Sequence, residues 1–505
     1  MTALPITSAF NDGYIAEMYE SFLRDPSSVD ESWRQFFRFA RSLSGAGAPS
    51  ADPSYLRKVA GAAGLVQAVR QYGHLDVQLD PLGSPPLGAA ELKPEFHGIT
   101  EADLSTIPGA ALGFDQDATA ADAVARLRRL YSSSIGFEFE HIEEEAEREW
   151  FRRAIEQGEM RRTMTPEEKK AALRRLTEVD GLERFLGRAY QGYKRFSIEG
   201  TDALVPMIDA AVERAAAMGA REVVIGMAHR GRINVLAHVL HKPIATIFGE
   251  FEGKHPISNA ASDTGDVKYH LGFRTEYALP GAEPVHVMLV PNPSHLEFVN
   301  PVVEGVARAL QRVRGAAPGT LDESSVLPIL VHGDAAFPGE GVVAETFNLS
   351  HLHGYTTGGT LHIIANNQVG FTTDPIDARS TYYASDLAKG FEVPVVHVNG
   401  DDAQACILAV RLGIAYRERF GKDFLIDLVG YRRHGHNETD EPVWTQPKLY
   451  AAIKGHPAPR VVWGERLVAE GVVTAEEVQA VDREVAEHLS RTLDEVKAGG
   501  RTPAH

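Results

Sequence analysis

Two pieces of this sequence carry oxygen ligands at a spacing that suits a cation. They are His332-Gly333-Asp334-Ala335-Ala336-Phe337 and Asn366-Asn367-Gln368-Val369-Gly370. Each follows a short apolar run, residues 326–331 and 361–365. Runs rich in Val, Ile and Leu and closed by Gly or Asn read as buried strands of a parallel sheet. Each polar group therefore sits where a strand ends, and ligands of open α/β sheets bind outside those carboxyl ends. Asp334 offers charge, Asn367 a neutral oxygen, and Val369 a backbone carbonyl where the chain turns at Gly370. Such a set suits Mg2+, which prefers near-octahedral oxygen ligation and keeps phosphates and water in its shell. Taken singly, each piece reads equally well as a helix cap or a turn.

Taken together, the two pieces resemble the thiamine diphosphate motif, Gly-Asp-Gly followed one β-α-β unit later by Asn-Asn. Ala335 stands where most of that superfamily has glycine. Four longer words resemble one branch of it, the E1 component of 2-oxoglutarate dehydrogenase. They are His332-Gly-Asp-Ala-Ala-Phe, Glu345-Thr-Phe-Asn-Leu-Ser, Asn366-Asn-Gln-Val-Gly-Phe-Thr-Thr and Tyr431-Arg-Arg-His-Gly-His-Asn-Glu. The resemblance runs from near the amino terminus to about Pro457.

This resemblance implies an α/β fold: a doubly wound parallel sheet of the thiamine diphosphate-binding fold, preceded by a mostly helical N-terminal region. It implies thiamine diphosphate and Mg2+ as cofactors, with Asp334, Asn367 and Val369 on the metal. It places Arg230, Ala335 and His436 beside them against the cofactor. The activity implied is oxidative decarboxylation of 2-oxoglutarate, within the tricarboxylic acid cycle. The succinyl unit would pass to a lipoyl group of the E2 dihydrolipoyl succinyltransferase, and the enzyme would be a homodimer. The family holds its cofactor between two α/β domains, and only the diphosphate-gripping one is expected in this sequence. Two other readings stay open: a non-catalytic fragment that docks E2, and an E1 for another 2-oxo acid such as pyruvate.

Three histidines fall near predicted strand ends: His229, His270 and His295. A 2-oxo dicarboxylate carries one carboxylate beside the ketone and another distally. Imidazolium and Arg suit such an anion, and neutral imidazole shuttles protons near pH 7. By resemblance, His229 in Met227-Ala-His-Arg-Gly-Arg and His270 in Lys268-Tyr-His-Leu-Gly match active-site histidines of the family. His295, in Pro293-Ser-His-Leu-Glu, serves equally well as a loop brace. Arg230 has the fork that pairs with a diphosphate, and Arg195-Phe196-Ser197 resembles a substrate-side loop. His238, His241, His286 and His362 read as core histidines.

The elements that must position these residues follow from the pattern. Residues 11–39 read as amphipathic helices, and the stretch 42–53, rich in Ser, Gly, Ala and Pro, as a linker. Asn11-Asp-Gly-Tyr-Ile with Asp25-Pro-Ser-Ser-Val-Asp-Glu-Ser-Trp resembles the E2-contacting segment of the family; the docking arm is taken as 1–41 and the linker as 42–54. Residues 55–200 read as helical, with Thr165-Pro166-Glu167-Glu168 a good helix start and separate helices at 165–177 and 181–193. From 201 to 460 strand and helix alternate, which predicts the doubly wound diphosphate-binding domain. Residues 461–505 read as a C-terminal helical tail, charged and solvated from Val473 to Lys497 and frayed from Gly499 to His505.

The 505 residues suffice for more than one domain. A net charge of −18 argues against nucleic-acid binding. The single cysteine, Cys406, allows no internal disulfide and suits a reducing compartment. No apolar stretch approaches the roughly twenty residues a membrane span needs. With no signal or transit pattern at the amino terminus, a cytoplasmic protein is expected.

Overall fold

The computed structural model describes residues 12–29, 33–34, 37, 53–158, 163–253, 267–278, 283–317 and 319–499. The chain divides into two compact units. One comprises residues 1–77 and 86–133, the other 78–85 and 134–505.

The first unit is helical. Helix Asp12–Arg24 is followed by a short turn of helix, Pro26–Ser28. Phe22, Val29 and Phe37 pack together there with Met18, Tyr19 and Trp33 around them. The expected linker at 42–54 lies mostly outside the described residues. Helices Pro53–Tyr72 and Ala120–Tyr131 pack on each other and bury Leu65, Val69, Val124, Leu127 and Tyr131. A capping box of Thr119 and Asp122 starts the second helix by satisfying otherwise orphaned backbone donors.

The second unit is built on an eight-stranded sheet: β1 Ile135–Glu138, β2 Glu222–Met227, β3 Phe273–Tyr277, β4 Val285–Leu289, β5 Val326–Gly333, β6 Leu361–Asn366, β7 Val395–Asn399 and β8 Phe424–Val429. Their order is β1-β7-β8-β6-β5-β2-β4-β3. The inner strands run parallel, while β1 and β3 close the two edges antiparallel. Strands β5 and β8 are buried almost throughout, as a parallel sheet covered on both faces requires. Helices Asn300–Leu310, Gly341–Leu349 and Ala403–Phe420 connect successive strands.

Several expectations change. The sheet is parallel except at its two edges, and β1 falls inside the stretch read as mostly helical. Residues 166–189 form one helix, Pro166–Ala189, where two were expected. Gly181 does not end it: a Cβ there would meet Val485 at 2.6 Å, so the glycine admits a packed neighbour. That neighbour lies on Ala475–Lys497, whose Val485, Leu489, Leu493 and Val496 are buried. The tail is thus amphipathic and packed on one face, instead of solvated all round. Among the described residues no helix is long and apolar enough to cross a membrane.

Candidate functional site

Strands β5 and β6 are neighbours in register, with Gly333 opposite Ala365. Their carboxyl ends therefore release Asp334 and Asn367 side by side. The backbone N–H of Asn367 donates to Asp334 Oδ1 at 3.3 Å. Both side chains are buried. Asn367 Oδ1 is one of several buried amide oxygens with no hydrogen-bond partner, and buried polar atoms are usually paired. Burial, opposed by Arg379 and reinforced by Asp427, pushes the Asp334 carboxyl up to about 7. A buried carboxylate beside an unpaired amide oxygen is the environment a hard divalent cation would complete. The residues present therefore fit a bound Mg2+.

The turn beyond them is tightly held. Gly370 and Thr373 exchange two backbone hydrogen bonds, at 2.9 and 2.8 Å, and Val369 is buried. Gln368 and Phe371 adopt φ of 62° and 54°, left-handed values unusual for residues with side chains. Gln368 is fixed there by Nε2 donating to Asp80 Oδ1 at 2.9 Å and to Gly430 O at 2.8 Å. A Cβ on Gly370 would meet the Ala335 Cβ at 2.6 Å. Ala335, unusual in the motif, is thus accommodated by a glycine on the facing loop.

A second group of residues assembles after β2 and β8. The His229 ring lies 4.2 Å from Phe196 and 5.7 Å from His436. Arg230 donates from Nη1 to Ser197 O at 2.9 Å and from Nη2 to His436 O at 2.6 Å. Burial and the nearby Arg432 lower the Arg230 guanidinium to about 10. Burial, Arg230 and Arg432 hold the His436 imidazole down to about 4, so it is neutral at pH 7. Phe371 packs 5.1 Å from His436, which joins this group to the loop carrying Asn367. Segments 195–201 and 430–438 approach closely. Tyr431 N–H donates to Gly200 O at 3.2 Å, and a Cβ on Gly430 would meet that oxygen at 2.1 Å.

His270 follows Tyr269, whose ring stands edge-on to Phe196 at 5.1 Å. Its Nε2 lies 3.4 Å from Ser294 Oγ, and its buried Nδ1 has no hydrogen-bond partner. The structure thus gathers Asp334, Ala335, Asn367 and Val369 in one loop pair, and His229, Arg230 and His436 in an adjoining wall. His270 is linked to that wall through Tyr269 and Phe196. His295 is not gathered with them: it is exposed, with its ring beside Phe298 at 5.7 Å. Of the histidines read as core, His362 and His238 are buried, whereas His241 is exposed and His286 partly so.

Three residues of the site lie within the words quoted above but had no role assigned to them. Phe196 forms the wall between His229 and Tyr269. Glu438 pairs with the buried Arg195 and ties the two segments together. Glu297 receives His332 Nδ1 at 2.6 Å beneath Asp334, while His332 Nε2 meets His362 Nδ1 at 3.0 Å. Buried ring-to-carboxylate pairs join residues far apart in the chain and leave no local spacing to read.

Residues 174–504 match the family model for the dehydrogenase E1 component. Residues 6–42 match that for the 2-oxoglutarate dehydrogenase N-terminus. The chain is 45% identical over 509 residues to the 2-oxoglutarate dehydrogenase E1 component of Bacillus subtilis (strain 168), covering 96% of this chain and 54% of that protein. It is 46% identical over 516 residues to the protein of the same name from Geobacillus kaustophilus (strain HTA426), again covering 96% and 54%. The chain thus spans about half the length of the relatives it matches.

Proposed function

This chain belongs to the dehydrogenase E1 component family, and we propose that it holds the coenzyme diphosphate of a 2-oxoglutarate dehydrogenase. The observation that carries this reading is the buried Asp334–Asn367 pair with its unpartnered amide oxygen, joined through Phe371 to the His229–Arg230–His436 wall. Asp334, Asn367 and the carbonyl of Val369 would hold Mg2+. Arg230 and the neutral His436 would face the diphosphate, with Ala335 packed beneath the turn. Bound there, thiamine diphosphate supplies the electron sink for loss of carbon dioxide from a 2-oxo acid.

The chain's own residues position and neutralise. His229 and His270 are assigned to the two carboxylates of 2-oxoglutarate, and His295 to a more distant place at the rim. Imidazole groups at such positions bind an anion and move a proton near neutral pH. The buried Phe196 keeps apolar surface against the wall, which strengthens the charge interactions beside it. The succinyl product is proposed to pass to the lipoyl group of an E2 dihydrolipoyl succinyltransferase, with the arm 1–41 as its docking element; the match of residues 6–42 supports this. The proposed setting is a cytoplasmic homodimer in the tricarboxylic acid cycle. Exposed apolar side chains beyond the turn support protein cover there: Ile376 is 87% and Trp444 86% exposed, with Phe371 and Tyr382 also outward.

The test is ligand-linked stability. Thiamine diphosphate with Mg2+ is expected to raise the unfolding midpoint of this chain, by mass action on the folded state. Asp334→Ala is expected to abolish the rise. A rise that persists in that variant would overturn the assignment.

A further inference from the structure

The loop that carries Asn367 hangs from a buried polar chain that the proposed chemistry does not use. Asn366, the last residue of β6, donates from Nδ2 to Asp427 Oδ1 at 2.9 Å. Its other amide atom, Oδ1, accepts the backbone N–H of Gln368 at 3.2 Å. Asp427 lies mid-strand in β8 with 0% exposure, and its Oδ2 meets His397 Nδ1 at 2.9 Å. His397 Nε2 meets Glu138 Oε1 on β1 at 2.8 Å, and Lys389 reaches Glu138 as well. The chain therefore crosses from the sheet edge through β7 and β8 to β6.

Its direction matters. An ionised carboxylate only accepts hydrogen bonds. Asp427 therefore requires Asn366 to turn its NH2 toward β8, which leaves the amide oxygen for Gln368. That oxygen is what meets Gln368 in its left-handed conformation, on the residue immediately after Asn367. His397 carries a carboxylate on each ring nitrogen, so both nitrogens donate and the ring is the imidazolium. Its charge offsets that of Asp427, which would otherwise be an isolated buried anion. Buried ion pairs of this kind add little stability over apolar packing, so a gain in geometry is the better reason for one here.

We propose that Asp427 is the positioning residue of the cation loop: acting through Asn366, and itself oriented by His397 and Glu138, it fixes the turn that presents Asn367 and Val369. The proposal rests on the reading of Asp334 and Asn367 as cation ligands. Residues that orient a ligand from behind typically change metal affinity on the order of 10- to 100-fold when removed.

The experiment measures Mn2+ binding to the purified chain by electron paramagnetic resonance, with thiamine diphosphate present, in the wild type, Asp427→Asn and Asn366→Ala. Circular dichroism sets the folded concentration, so that Kd refers to folded chain only. Both variants are expected to raise Kd at least tenfold and to speed amide exchange at Gln368 and Gly370. A residue that merely supports the core would lower the folded fraction and leave Kd unchanged. If Asp427→Asn does not fold, Asn366→Ala, which removes both the link to Asp427 and the bond from Gln368 N–H, decides alone: an unchanged Kd there overturns the role. A wild-type chain that binds Mn2+ alongside folded variants of equal Kd overturns the positioning role. A wild-type chain that binds no Mn2+ overturns the cation reading beneath it, and the positioning role with it.

Discussion

His229 and His270 decide the substrate in this account. Each would meet a carboxylate, and a hydrogen bond to a charged group contributes about 1.5–3 kcal/mol. Replacing either by Ala in a catalytically complete enzyme is expected to lower kcat/KM for 2-oxoglutarate by about tenfold or more, and to affect pyruvate less. Unchanged discrimination between the two acids would contradict the assignment. At another residue the prediction concerns pH. Burial opposes the charge on His397, but Asp427 and Glu138 more than compensate and raise its imidazole to about 9. A folded value above the unfolded one means that its stabilisation is complete below the ordinary histidine value and is lost as pH rises through about 9. Urea unfolding at pH 6.5, 8 and 9.5 is expected to show stability falling with pH. His397→Gln is expected to flatten that fall, and an equal slope in the variant would contradict it. His229 and His270 could be singled out because each sits in a recognisable short word near a strand end, whereas His295, chosen the same way, is exposed and apart from them. The pairing of His397 with Asp427 was not, because it joins two strands across thirty residues of chain.

The elements show what sequence patterns transmit. The central strands of the sheet were readable from their apolar runs, and so was the placement of Asp334 and Asn367 at adjacent strand ends. The edge strands were not. Phe273–Tyr277 alternates aromatic with charged residues over only five positions, and Ile135–Glu138 spans four, too short for a period to emerge. Residues 166–189 form one helix where two were expected; Gly181 inside it weakens a helix by about 1 kcal/mol, and its close packing against Val485 offsets that cost. The facing pair Ala335 and Gly370 gives the clearest element-scale prediction. Gly370→Ala forces two methyl-sized groups into one space and is expected to cost about 1–3 kcal/mol. In an Ala335→Gly background the same change should cost markedly less. A double-mutant cycle by chemical denaturation checks this, and additive effects would contradict the contact.

At the scale of the molecule, the segments that follow the Asn367 and His436 loops carry a rim of exposed apolar side chains, Ile376, Tyr382, Val443 and Trp444. Water that reaches the rim weakens charge interactions beside it. The purified chain is therefore expected to bind its cofactor weakly and to turn over 2-oxoglutarate negligibly, as followed by carbon dioxide release. Robust turnover would contradict that expectation. The central claim is that Asp334 and Asn367 would hold a divalent cation on which binding of the coenzyme diphosphate depends. Calorimetric titration of thiamine diphosphate into the chain, with and without Mg2+, tests it most directly. The account predicts binding heat only when Mg2+ is present, and none in Asp334→Ala. Binding of equal strength without Mg2+, or undiminished in that variant, would contradict it.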